Sequence, residues 1–387
     1  MKVLIAGAGI GGLTAAIALG RAGHSVTLVE RSAGFEAAGA GIVLAPNALR
    51  VLSVLGVGLD GLGRRLPRNE VRTAAGALLT SLDTAALEER FGPTLAFART
   101  DLHEALAEAL PSDVVTVFGH PVRNVEETPG GVTADWGRGA ERFDLVVGAD
   151  GLRSAAREAL YGPRPLRYSG TTCWRGIIDF DCGDAAVEAW GGRARVGVVP
   201  LNGGRAYYFL VLAAPPRSPA LSWPDGFGEA FAGFEGVPGA LLSALPGVPP
   251  LHHDLLELDR PVWGRGRILL LGDAAHAMTP NQGQGAAMAI EDAAALPEAL
   301  RPGPDGAADR YRAARHSRVR GVQLNSRRIG RAAHWHRPPL TRLRDTALRL
   351  APPSAGARAL ESLVRPGLNL AASLSAELSA AASDRTR

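Results

Sequence analysis

The chain has 387 residues, 46% of them apolar and 21% charged, which suits an ordinary globular enzyme of one composite or two domain-sized units. Its formal charge of +4 is scattered, without a basic run that would read as a nucleic-acid arm, and no stretch approaches the ~18 apolar residues of a membrane span, so neither nucleic acid nor stable membrane association is expected. Two cysteines, Cys173 and Cys182, cannot build a disulfide framework and lack zinc-site spacing, which points to a reducing cytoplasm and no metal.

Residues 2–6 (KVLIA) are a short β-rich apolar run, the pattern of a buried parallel strand. Gly7-Ala8-Gly9-Ile10-Gly11-Gly12 follows at once, residues 13–21 have helical spacing, and residues 25–30 (SVTLVE) form a second strand ending in an acid. The glycines interrupt the stretch where a secretion signal would need helix formers. Strand, glycine turn, helix, strand and acid in this order read as a dinucleotide-binding unit. Gly7 permits the tight turn, Gly9 lets backbone approach a pyrophosphate, Gly12 lets helix and strand pack closely, and the helix start offers free N–H groups to phosphate. Glu30 is placed for a ribose diol, with Arg31 beside it as a further cofactor contact. An acid at that point repels a 2′-phosphate, which favours FAD or NAD over NADP there.

Residues 44–56 include Asn47 and a helix, and residues 69–81 suggest two short strands. Arg99 opens the segment RTDLHEAL. Residues 143–149 (FDLVVGA) form another buried-strand pattern running into Asp150-Gly151-Leu152-Arg153-Ser154 and a helix with Arg157. Residues 171–179, 195–200 and 206–213 read as strands, with a hairpin turn at Gly203-Gly204. Residues 267–271 (RILLL) lead into Gly272-Asp273-Ala274-Ala275-His276, then Pro280-Asn281-Gln282-Gly283-Gln284-Gly285 and a helix over 286–300. Taken singly, Gly272-Asp273 also suits a capped turn and Asp150-Gly151 a β-turn. The C-terminal third is helical: 309–331, with Arg315, Arg318, Arg320 and Arg327 on solvated or salt-bridged faces; 340–350, stopped by Pro352-Pro353; then 357–365 and 368–378, broken at Pro366-Gly367, and a frayed end over 380–387. Neither His252-His253 nor His334-Trp335-His336 has an obvious third ligand, and Cys173 reads as a small strand residue.

With these motifs in this order the chain resembles the class A FAD-dependent aromatic monooxygenases, the group of p-hydroxybenzoate, salicylate and urate hydroxylases. The likeness covers residues 1 to about 330 and rests on the glycine turn with Glu30, Asp150-Gly151, Gly272-Asp273 and Arg99. It implies an α/β fold in which a Rossmann-type FAD-binding domain (1–68, 98–168, 264–330) is interleaved with an antiparallel β-sheet substrate domain (69–97, 169–263), followed by a C-terminal helical segment (331–387). It also implies that Asp273 accepts a hydrogen bond from the ribityl chain, that Arg99 lies near the ribityl or pyrophosphate region, and that Asp150 and Gly151 serve both FAD and NAD(P)H. Gly39 and Gly41 would let backbone approach the flavin. Pro280, Gly283 and Gly285 would lay the loop against the ring, with a helix N-terminus toward its pyrimidine edge. Arg195 and Tyr207, twelve residues apart, match an Arg and Tyr of the substrate pocket in urate-hydroxylase-like members, and the spacing equally suits a structural pair. Those members carry an Asp where this chain has Asn281, and Asn cannot act as a general base, so urate chemistry is disfavoured. Asn281 and Gln282 remain candidates to hydrogen-bond a substrate.

The implied reaction takes electrons from NADH or NADPH and one oxygen atom from O2, hydroxylating or epoxidising a small aromatic or alkene substrate through a flavin C4a-hydroperoxide, in a monomer or homodimer. An FAD-dependent reductase or cyclase without oxygen insertion, and a flavin-binding redox sensor without turnover, are the alternatives. The flavin-halogenase branch is not expected, because no WxWxIP stretch is present.

Overall fold

The computed structural model describes residues 1–35, 40–217, 227–245 and 250–385. Gly39 falls outside these residues. The first layer is a six-stranded sheet in the order Gly264–Arg265, Ile268–Leu270, Leu145–Gly148, Lys2–Ala6, Ser25–Val29, Val115–Val117, parallel except at the first pair. Burial on both faces explains the unbroken apolar runs read from the sequence. Val3 and Ile5 face a helical layer that includes Ile10–Arg21 and Gly285–Leu300. Leu4 and Val146 face the other way, against a three-stranded antiparallel sheet of Asn124–Thr128, Gly131–Asp135 and Ala140–Phe143. That small sheet had no clear sequence signal, because its strands are short and carry charged residues on their outer face.

The second layer is a seven-stranded sheet in the order Leu251–Glu257, Arg167–Asp179, Arg205–Ala213, Ala194–Pro200, Ala186–Trp190, Arg68–Thr73, Leu78–Asp83. All neighbours are antiparallel except Ala186–Trp190 beside Arg68–Thr73. The hairpin between its two central strands closes on Gly203 and Gly204 at φ 74° and 70°, the left-handed pair that matches strand twist. Register divides the side chains cleanly. Trp174, Val196, Val198, Tyr208 and Leu210 bury themselves under Phe227, Phe231 and Leu241. The alternate set, Cys173, Arg175, Arg195, Tyr207 and Phe209, lies on the opposite face, and Tyr207 there packs against Gly41 of the first layer.

Three C-terminal helices, Ala307–Ala333, Pro338–Leu350 and Pro353–Arg385, complete the chain. The expected break at Pro366-Gly367 does not occur: one helix runs through it, and the expected frayed end is helical as far as Arg385, with Thr386 and Arg387 outside the described residues. Proline removes an N–H and crowds the preceding turn. Here tertiary packing offsets that cost. Arg318 donates to the Leu363 carbonyl at 2.6 Å beside the gap, Val364 is buried with Ala45 and Phe91, and Ala371 and Leu374 are buried in the core of the first layer. Gly367 has room only for hydrogen, since a Cβ there would stand 2.6 Å from Asn47 Cβ and Glu291 Oε1. Among the described residues no helix is long and apolar enough to cross a membrane.

Candidate active site

Parallel register sets the ends of three strands on one level: Ala6 pairs with Gly148, and Gly148 with Leu270. Gly7, Asp150-Gly151 and Gly272-Asp273 therefore emerge side by side at the carboxyl edge, where open α/β sheets bind ligands. Gly7 lies at φ 101°, which a side chain would strain, and a Cβ on Gly12 would sit 1.8 Å from the Gly7 carbonyl oxygen. Glu30 folds back onto this turn. Its carboxylate accepts from the Ala8 N–H at 2.8 Å and the Ser32 N–H at 2.9 Å, while Arg31 is exposed next to it. Arg157, from the helix Ala155–Tyr161, donates to the Ala274 carbonyl at 3.0 Å and the Leu152 carbonyl at 2.7 Å, tying the second motif to the third.

The third motif is held from beneath by charges that the sequence placed on a solvated or salt-bridged face. Asp292 accepts from the Gly272 N–H at 3.1 Å, from His276 Nε2 at 2.5 Å and from Arg315 Nε at 2.8 Å, and all three side chains are buried. Arg315 also meets Glu291 at 3.0 Å, and Glu291 accepts from Arg318 at 2.9 Å and from Asn47 at 2.7 Å. Burial alone would raise the pKa of both carboxyls. His276 and Arg315 outweigh it at Asp292, and Arg315 with Arg318 at Glu291, so both are held below their usual range. Arg315 and Arg318 are thus core ion-pair partners, not solvated ones. Asn47 also donates to Gln284 at 3.2 Å, the residue before the helix Gly285–Leu300, fixing where that helix begins.

The loop from Pro280 to Gly285 lies between this helix and the seven-stranded sheet, which forms the lid. Asn281 is occupied at both ends: its Oδ1 accepts from Arg195 Nη2 at 2.7 Å and its Nδ2 donates to the Ser326 carbonyl at 3.0 Å. Arg195, buried to 3% exposure, meets Glu188 at 2.9 Å as well. Arg195, Glu188 and Asn281 are therefore linked, and Arg195 and Asn281 line a cleft of about 400 Å³ together with Arg327, Arg331, His334 and Trp335, with Arg195 Nε buried and without a partner. Gln282 differs from Asn281, since its buried Oε1 has no partner.

Arg195 and Tyr207 do not face each other. Tyr207 pairs with Val199, whereas Arg195 pairs with Val211, four residues along the strand. Tyr207 instead lies over Gly41, where a Cβ would come 2.2 Å from its ring, and beside Arg175 and Arg99. Burial pushes its phenol well above the usual range. Burial, then the neighbouring Arg175 cation, lowers the Arg99 pKa against the pull of Asp273. Burial likewise raises Cys173 to about 11, which keeps it a neutral thiol. Sequence reasoning passed over Arg175 and Glu188, which carry no motif; the alternation of the strand over 171–179 was the signal that places Arg175 with Cys173.

The cradle fits an extended flavin dinucleotide. A Cβ on Gly9, Gly151, Gly283 or Gly285 would meet nothing within 4 Å, so these glycines border open space where the three motifs meet. Asp150 Oδ1 and Gln282 Oε1 are buried acceptors without partners there, and the first-turn N–H groups at Gly285 suit an electron-rich edge.

The family model described as FAD binding domain matches residues 1–217 and 260–326. The chain is 34% identical over 365 residues to the aurachin C monooxygenase/isomerase of Stigmatella aurantiaca, covering 90% of this chain and 94% of that one. It is 36% identical over 365 residues to the 2-heptyl-3-hydroxy-4(1H)-quinolone synthase of Pseudomonas aeruginosa, covering 91% and 94%. Klebsiella pneumoniae HpxO, solved in complex with FAD and uric acid, superposes with a TM-score of 0.85 at 30% identity, covering 95% of this chain and 97% of that one. The chain belongs to the FAD-binding family of class A flavin-dependent aromatic monooxygenases.

Proposed function

We propose that this FAD-dependent monooxygenase uses NADH or NADPH and O2 to hydroxylate a planar aromatic or N-heteroaromatic ring bearing an oxygen substituent. The observation that carries the proposal is the convergence of three strand-end motifs beneath a lid face that presents Tyr207, Arg175 and Phe209. Relatives named for a quinolone product, for 3-amino-4-hydroxybenzoate and for urate support an oxygen-bearing ring. The bound FAD would supply the redox chemistry that activates oxygen.

In this reading the protein's own groups bind, orient and exclude water. Gly7, Gly9 and Gly12 admit the pyrophosphate, and Glu30 receives the ribose. Arg99, Asp150, Gly151 and Asp273 hold the middle of the cofactor. Pro280 stiffens the loop whose Gly283 and Gly285 lie against the ring. Phe209 and Val211 give the substrate an apolar wall, while Tyr207 offers it a neutral hydroxyl. Asn281, whose amide oxygen and nitrogen are each already engaged, acts by fixing the loop and Arg195, not by taking a proton from substrate. The two sheets divide the work: the first layer holds the cofactor and the second covers the substrate.

The test is NAD(P)H oxidation by the FAD-loaded enzyme over a panel of hydroxylated aromatics and quinolones, with peroxide scored separately. A product heavier by one oxygen atom, labelled from 18O2, is the expected result. Reduction or cyclisation of the substrate without label would replace this reading with that of a reductase or cyclase.

A further inference from the structure

Arg175 stands on the cofactor-facing side of the lid sheet, paired across the ladder with Phe209 on one side and Leu251 on the other. The titratable groups that respond to its charge are Tyr207 of the next strand, Cys173 of its own strand, His253 of the strand beyond, and Arg99 of the first layer, none of them a carboxylate. Among the described residues Arg175 makes no ion pair, whereas the half-buried or buried Arg195, Arg315, Arg318 and Arg327 each have one. Its Nε is buried and has no hydrogen-bond partner. A guanidinium held beside a second one, with a donor facing no acceptor, is an arrangement that an incoming anion would complete. Arg195 has a buried Nε without a partner too, but Glu188 already balances its charge and Asn281 accepts from its Nη2, so it does not call for an anion as Arg175 does.

We propose that Arg175 is the specificity-determining residue of the substrate site: its guanidinium, with the Tyr207 hydroxyl beside it, receives an anionic oxygen of the aromatic substrate, a carboxylate or an ionised ring hydroxyl. This deepens the aromatic-hydroxylase reading and rests on it. Substrate charge is thereby read on the lid face at Arg175 and Tyr207, and not at the Arg195 cleft. Tyr207 is kept neutral by burial, so it donates to such an oxygen without repelling it.

The experiment titrates FAD-loaded wild type, Arg175→Gln and Arg175→Lys with salicylate and its neutral isostere salicylamide, following perturbation of the visible flavin spectrum. A charge-assisted contact predicts that wild type prefers salicylate by about tenfold or more. Arg175→Gln should lose that preference, with its salicylamide affinity within about twofold of wild type, and Arg175→Lys should keep most of it. A wild type that binds both equally, or neither up to the solubility limit, overturns the proposal. So does an Arg175→Gln variant that keeps the preference, loses both ligands alike, or changes only in FAD content or flavin reduction potential. Spectral perturbation by salicylamide with no charge preference would leave the aromatic-site reading standing while removing Arg175 from it.

Discussion

The cradle and the lid of this molecule are built on different terms. In the cradle, backbone does the recognition and glycines mark where it must come close; in the lid, side chains do it, and which of them face inward depends on strand register. A cradle of this kind leaves a local signature in the chain, because the turn, the helix and the acid are neighbours in sequence. A lid of this kind does not, because Arg195 and Glu188, on one hairpin, meet Asn281 only when the loop 86 residues further on folds against the sheet. The contrast predicts that damage to the cradle empties the protein of flavin, whereas damage to the lid leaves flavin bound and spoils its use.

The largest effect should follow Gly12→Ala. The new methyl would be placed 1.8 Å from the Gly7 carbonyl oxygen, backbone that has no room to retreat. Folded protein without bound FAD is expected, measured as the ratio of visible to ultraviolet absorbance after gel filtration. Next comes Asp292→Ala, which strips the Gly272 N–H, His276 and Arg315 of their shared acceptor. Leaving a buried cation partly uncompensated costs about 3–5 kcal/mol, visible as a lower urea midpoint. If Asp292→Ala denatured like the wild type, the third motif would not depend on the charges beneath it.

Two milder variants separate the regions directly. Asp273→Ala should weaken FAD retention by roughly ten- to a hundredfold, the worth of a charged hydrogen bond, with the apoprotein still folded. Asn281→Ala should keep its FAD and lose coupling instead, because Arg195 Nη2 and the Ser326 carbonyl would each lose a partner and the loop its anchor. More peroxide per NAD(P)H consumed, at unchanged flavin content, is the expected readout. If Asn281→Ala released FAD and Asp273→Ala did not, the assignment of cradle and lid would be inverted.

Most of the scaffold could be read from the chain, and the reasons for the misses are specific. Buried parallel strands announce themselves by unbroken apolar runs, so those at 2–6, 143–149 and 267–271 were legible together with the motifs that end them. The helix through Pro366 was not, because the packing that holds it, Arg318 on the Leu363 carbonyl and Gly367 against Asn47 and Glu291, comes from residues distant in sequence. Arg315 and Arg318 looked like any arginines on a surface helix; their burial follows from the C-terminal helix folding over Glu291, which no local pattern encodes. Tyr207 was singled out with the wrong companion. Sequence spacing suggested Arg195, while register gives it Arg175 and Gly41.

The smallest predicted effect probes the electrostatics of the lid and of the helix end beside it. Burial, followed by Arg175, holds His253 at about 4 instead of 6.5, and burial, followed by Arg195, holds His334 at about 4. Both imidazoles are therefore neutral in the folded protein where the unfolded chain would protonate them. The unfolded state binds more protons as pH falls from about 6.5 toward 4, so their contribution to stability is full above that window and declines through it. The depressed carboxyls Asp292 and Glu291 act separately, losing their contribution only below about pH 4. Between pH 7.5 and 5, then, the urea midpoint of wild type should fall, and the double variant His253→Gln with His334→Gln should fall less. Equal slopes would mean that neither site excludes protonated histidine. Because Arg175 is part of what depresses His253, Arg175→Gln alone should also shallow the slope, while Arg31→Gln, exposed at the edge of the cradle, should leave it unchanged.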